Sequence, residues 1–140
     1  MRVRSFHLAD YSSVTQILEE VLTEDCYVDT MEAFSRQLSC DPDLVLIAEK
    51  NGSIVGIIIG TIDNNKGYFY RVAVNVAHQR QGIGRKLVEA MKNRFEQRKV
   101  SQILVRVDSH NEPFLRVYES SGYQSIDFSR STGKLKICIG

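Results

Sequence analysis

The chain has 140 residues, enough for one domain that buries a substantial apolar core without disulfide or metal staples. With 18 Lys and Arg against 17 Asp and Glu, no global charge favours nucleic acid or an anionic membrane, so a phosphorylated partner has to be met by a local cluster. The start "MRVRSFHLAD" has no apolar leader, no apolar run approaches membrane-spanning length, and Cys26, Cys40 and Cys138 lack metal-ligand spacing, so a reduced, cytoplasmic, metal-free protein is expected.

In chain order, "RVRSF" (2–6) alternates as a short strand, and Val14, Ile17, Leu18 and Val21 recur at helical spacing over 10–22. Thr30 is a good N-cap for a second helix through Met31, Phe34 and Leu38, which leaves "TEDCYVD" (23–29) as a loop. "DPD" (41–43) breaks the chain. "LVLIAE" (44–49) and "IVGIIIGTI" (54–62) flank Asn51-Gly52, the pair that suits a type I′ hairpin. A second turn, "NNKG" (64–67), leads to "YFYRVAV" (68–74), so the three strands form an antiparallel meander. A helix is expected from 84 to 98, with Leu87, Met91 and Phe95 on one stripe, followed by a strand over 102–107 that pairs in parallel by a crossover. Asn111, Pro113 and Gly122 frame a further short helix, and "YQSIDF" and "LKICI" finish as a hairpin. The order β-α-α-β-β-β-α-β-α-β-β defines an α/β chain of the α+β type with a mixed, mostly antiparallel sheet in a single domain, 1–140.

The stretch "HQRQGIGRKL" (78–87) leaves the meander, turns through Gly82 and Gly84 and enters a helix. The first N–H groups of a helix lack intrahelical partners and carry partial positive charge, so this arrangement suits a phosphate. Glycine lets the backbone approach an anion, and Arg80 and Arg85 add charge-assisted contacts. On its own such a motif is more often a solvated turn. Two known phosphate loops are excluded by spacing: no GK[ST] ending follows, and Leu87 stands where a dinucleotide fold has its third glycine.

"QRQGIG" at 79–84 is similar to the Q/R-x-x-G-x-G/A loop of the GNAT superfamily of N-acetyltransferases. "RVAVNVAHQRQGIGRKLV" resembles that family's strand, loop and helix, with Val76 where many members carry proline. "VDSHNEPFLRVYESSGY" resembles its later segment, in which an asparagine precedes an apolar helix and Tyr-Glu-x-x-Gly-Phe/Tyr. The resemblance implies a GNAT-like fold, acetyl-CoA as co-substrate, and direct acetyl transfer in a ternary complex to a primary amine on a small molecule, protein or peptide.

Carried over by position, it implies a slot between the strand ending at Val74 and the strand ending near Val107. Val72, Ala73 and Val74 would offer backbone groups to the pantetheine and the acetyl carbonyl. Gln79, Arg80, Gln81, Gly82, Ile83, Gly84 and Arg85 would wrap the pyrophosphate, and Asn111 would bond the pantetheine arm as well as cap its helix. Tyr118 would protonate the leaving thiolate, and the Val74 N–H would serve the oxyanion. Relatives that acetylate protein N-termini carry a glutamate where this chain has Arg106, so the base stays open, with Glu49 and Asp108 as weak candidates. The acidic stretch 23–29 borders the acceptor side in the family. His7, His78 and His110 form no metal set. A non-catalytic CoA-binding sensor or interaction module of the same fold is the alternative; a nucleic-acid module is disfavoured, because no aromatic platform interleaves the arginines. A monomer or homodimer is expected.

Overall fold

The computed structural model describes residues 1–105. Strand β1 (Arg2–Ser5) leads through a 3₁₀ turn (Leu8–Asp10) into helices α1 (Tyr11–Val21) and α2 (Glu24–Cys40). The meander β2 (Val45–Lys50), β3 (Ser53–Asp63) and β4 (Lys66–Val74) follows, then helix α3 (Ile83–Gln97) and strand β5 (Gln102–Val105). The sheet order is β1-β2-β3-β4-β5, antiparallel throughout except for the parallel pair β4–β5. This is the mixed, mostly antiparallel architecture expected, including the crossover through α3. The expected elements beyond residue 105 lie outside the described residues.

Both hairpins close in two residues. Asn51 and Gly52 have φ of 52° and 80°, the pair of positive values that a type I′ turn requires. The second turn is tighter than the expected 64–67: Asn64 and Asn65 take positive φ (52° and 59°), which asparagine tolerates, so β4 already begins at Lys66.

The sheet is covered on both faces, which explains the nearly unbroken apolar run of β2. Helix α3 lays Ile83, Leu87, Val88, Met91 and Phe95 over Leu46, Ile58, Val72 and Val74. Helices α1 and α2 cover the other face, where Val14, Ile17, Leu18 and Phe34 meet Ile47, Ile57, Ile59 and Ala73. Close seating of α3 depends on a missing side chain in the strand below: a Cβ at Gly67 would lie 2.7 Å from Cγ of Phe95.

Helix α2 starts earlier than expected. Its N-cap is Thr23, whose Oγ1 accepts the Cys26 N–H at 3.4 Å, and Glu24 and Asp25 sit in the first turn, where negative charge complements the helix dipole. Residues 24–29 are therefore helix rather than loop. Thr30 is not a cap; it is buried in mid-helix, and its hydroxyl accepts the Nε–H of Arg71 at 3.2 Å.

A bidentate ion pair ties β1 to the start of α1. Arg4 donates to both carboxylate oxygens of Asp10 at 2.9 Å, and the His7 N–H adds a bond of 2.8 Å to Oδ2. The Arg4 hydrogen bond holds the Asp10 carboxyl below its ordinary range against the opposing effect of burial, with the His7 N–H assisting. A depressed carboxylate contributes stability above its unfolded value, and this is lost as pH falls through the folded one. Asp10→Asn is accordingly expected to destabilise the fold by about 1–3 kcal/mol at neutral pH. In paired thermal melts, the gap between wild type and variant should close as pH drops below about 4.

Candidate active site

The end of the sheet at which β4 stops gathers the residues singled out in the sequence. Asn75 donates its N–H to the Val55 carbonyl at 2.8 Å, and Gly56 faces Val74 across the ladder. In an antiparallel ladder both backbone groups of a residue point to the same neighbour, and this alternates along the strand. The N–H and C=O of Val72 and Val74 are therefore directed away from β3, to the side on which β5 lies. Ala73, between them, is turned to Ile57 of β3 and buries its methyl in the α1–α2 layer.

The loop after β4 is built on local bonds. The Asn75 side chain accepts the Ala77 N–H at 2.9 Å, starting the short turn Val76–His78. Gln79 then reaches back, its Nε2 donating to the Val74 carbonyl at 3.2 Å. Arg80 has φ 65° and Gly82 has φ 79°, so the chain passes twice through the left-handed region before entering α3. Lys86 N–H to Gly82 O, at 3.2 Å, opens the helical ladder. The N–H groups of Gly82, Ile83, Gly84 and Arg85 thus precede it. Ile83 is buried and pins the loop to the core, whereas Gln79, Arg80, Gln81, Gly82 and Arg85 are exposed. Apart from its chain neighbours, no atom of the described residues lies within 4 Å of where a Cβ on Gly82 would sit. An open face, unladdered N–H groups and nearby cationic side chains fit a diphosphate such as that of coenzyme A.

On the other side of the same strand ends, a cavity of about 400 Å³ runs beside α1, lined among others by Arg4, Asp10, Glu20, Glu49, Ser53 and Asn75. Its carboxylate Glu49 is not free: Arg2 lies 3.2 Å and Arg4 3.6 Å from Oε2. Arg106, Asp108, Asn111 and Tyr118 lie outside the described residues. Two features escaped the sequence reading. Arg71 is only 2% exposed within an apolar strand, beside the bulge at which Tyr70 is the extra residue between the pairs Ile59↔Arg71 and Gly60↔Phe69. Lys50 reaches the loop from β2, its Nζ donating to Gln81 Oε1 at 2.9 Å. Neither position carries a local motif. Among the described residues no three His, Cys, Asp or Glu side chains form a metal cluster, and no helix is long and apolar enough to cross a membrane.

A meander that hands over to a parallel strand through a glycine-entered helix, with the Val74 N–H turned away from β3, is the arrangement that the sequence resemblance implies. The chain belongs to the acetyltransferase (GNAT) family, whose sequence profile matches residues 11–123. An acetyltransferase of Pectobacterium atrosepticum is 29% identical over 127 residues, covering 91% of this chain and 90% of the relative. The fold is similar to that of Ard1 from Thermoplasma volcanium, with a TM-score of 0.72, 22% identity and 90% of each chain covered. It also resembles the PaiA N-acetyltransferase of Thermoplasma acidophilum, solved in complex with coenzyme A, with a TM-score of 0.68, 14% identity and coverage of 88% and 89%. Acetyl transfer is the chemistry of this family.

Proposed function

We propose that the protein is an N-acetyltransferase that moves the acetyl group of acetyl-CoA to a primary amine by direct attack within a ternary complex. One observation carries the reading: the Val74 N–H faces away from β3 at the strand end, beside the unladdered N–H groups that open α3. Relatives named as acetyltransferases, and a neighbour of the same fold bound to coenzyme A, support it. When bound, acetyl-CoA supplies the activated thioester and the thiolate leaving group.

In this reading the residues of the chain divide the work. Val72 and Val74 hold the pantetheine arm along β4, and Asn111 contributes a further bond to it. Gln79 through Arg85 receive the pyrophosphate on their backbone N–H groups, and Arg80 and Arg85 offset its charge. The Val74 N–H donates to the oxyanion, a type of contact worth roughly 3 kcal/mol in other acyl transfers. The C–N bond forms first, giving that oxyanion; Tyr118 then gives its proton to the sulfur as the carbonyl reforms and the C–S bond breaks, and the proton shed by the amine nitrogen passes to solvent, from which Tyr118 is reprotonated.

Calorimetry with coenzyme A and a thiol-release assay over a panel of polyamines, amino acids and peptide N-termini test the proposal. Binding accompanied by acetylation of one amine class is expected. Arg106, where the resemblance implies a glutamate, favours a second reading as a CoA-binding sensor. Tight binding with no turnover on any amine would select that reading and overturn the first.

A further inference from the structure

We propose that Lys50, on the hairpin between β2 and β3, is part of the phosphate-binding apparatus, supplying a cation to the phosphates of the CoA ligand from outside the β4–α3 loop. The inference rests on the reading of that loop as the CoA site and adds a residue that neither the loop motif nor its spacing contains. Lys50 and Gln81 are 31 positions apart, yet Nζ donates to Oε1 at 2.9 Å. The bond brings the ammonium to the loop, so the hairpin and the loop share one surface.

The charge balance around that contact points to an anion. Glu49, the carboxylate nearest in sequence, is occupied by Arg2 and Arg4 at 3.2 and 3.6 Å. Lys50 has only the neutral amide of Gln81 as partner among the described residues. Arg80 and Lys86, both exposed on the same loop and first helical turn, have no ion-pair partner among the described residues either. Lys50 thus adds a cation to a loop that already carries Arg80, with Lys86 in the helical turn that follows, and none of the three is ion-paired among the described residues, which suits an anionic ligand. An ammonium has three donors, and Gln81 uses one. Ordering a lysine side chain costs conformational entropy that one exposed hydrogen bond to an amide barely offsets, whereas a phosphate contact offsets it readily.

The test compares wild type, Lys50→Met and Lys50→Arg by calorimetry with coenzyme A and with 3′-dephospho-coenzyme A. At low ionic strength Lys50→Met should weaken coenzyme A binding about fivefold, with unchanged far-UV circular dichroism and melting, and Lys50→Arg should restore most of it. The difference should shrink at about 0.5 M salt, where screening acts over only a few ångströms. A loss shared by both ligands assigns Lys50 to the pyrophosphate; a loss for coenzyme A alone assigns it to the 3′-phosphate. Unchanged affinity in Lys50→Met, or a loss indifferent to salt, overturns the proposal while leaving the loop reading intact. Failure of the wild type to bind coenzyme A overturns both.

Discussion

Tyr118→Phe is expected to lower kcat by about 100-fold while the Kd for coenzyme A stays within about twofold. The substitution removes one hydroxyl and keeps the ring, so a loss confined to turnover isolates the proton. Expulsion of a thiolate needs that proton at sulfur, and a phenol with a pKa near 10 remains protonated at neutral pH and can donate it. The pH profile provides the second readout: with the phenol as acid, wild-type kcat falls at alkaline pH as the proton is lost, and that limb should vanish in the variant. A variant that turns over at the wild-type rate removes Tyr118 from the mechanism. If kcat and affinity fall together, Tyr118 belongs to the binding surface instead.

Phe95→Ala should be the most damaging core substitution, costing about 3–5 kcal/mol, a large fraction of the stability of an ordinary domain. Phe95 is fully buried, its ring centroid is 5.6 Å from that of Phe69, and its Cγ lies where a side chain on Gly67 would have to stand. The strand cannot collapse into the void without losing its pairing with β5 through Gly67↔Ile103. A fall in melting temperature on the order of 10 °C or more is expected in a thermal scan. Phe95→Leu, which fills much of the volume, should recover about half of it. Because the C-terminal half of α3 is seated by this ring, the alanine variant should also weaken coenzyme A binding at the far end of the helix, detectable by calorimetry below the transition. A melting temperature within a degree or two of wild type would show that α3 is held elsewhere.

The meander was legible because apolar runs flank short Asn and Gly turn signals, and the α3 stripe because Leu87, Met91 and Phe95 recur at helical spacing. The start of α2 was not. Its buried face includes Thr30 and Gln37 along with Ala33 and Phe34, so polar residues occupy the apolar stripe and hide the first two turns. Thr23 followed by Glu24 and Asp25 was the available signal, a cap residue ahead of acids in the first turn. In the site, the loop could be read because its chemistry is contiguous from Gln79 to Arg85. Lys50 was out of reach, since its meeting with Gln81 depends on hairpin register and loop path together. Arg71 was hidden for a different reason: a lone charge in an apolar strand gives no hint that a hydroxyl on helix α2 receives it.

The bond from Gln79 to the Val74 carbonyl has a selective consequence. On the proposed reading, an extended ligand lying along β4 as an added strand would meet both the N–H and the C=O of Val72, which matches an amide. At Val74 Gln79 Nε2 already occupies one of the two lone pairs of the carbonyl, so a ligand N–H there competes with it for the same oxygen. An amide N–H placed there would have to share that oxygen with Gln79 or displace it, at a cost bounded by the about 1–3 kcal/mol of a donor left without a partner. A thioester carbonyl accepts and has nothing to donate, so it loses nothing. On the proposed reading, the last residue of β4 would favour the acyl end of such a ligand over its amide links and so help set how far along the strand it comes to rest.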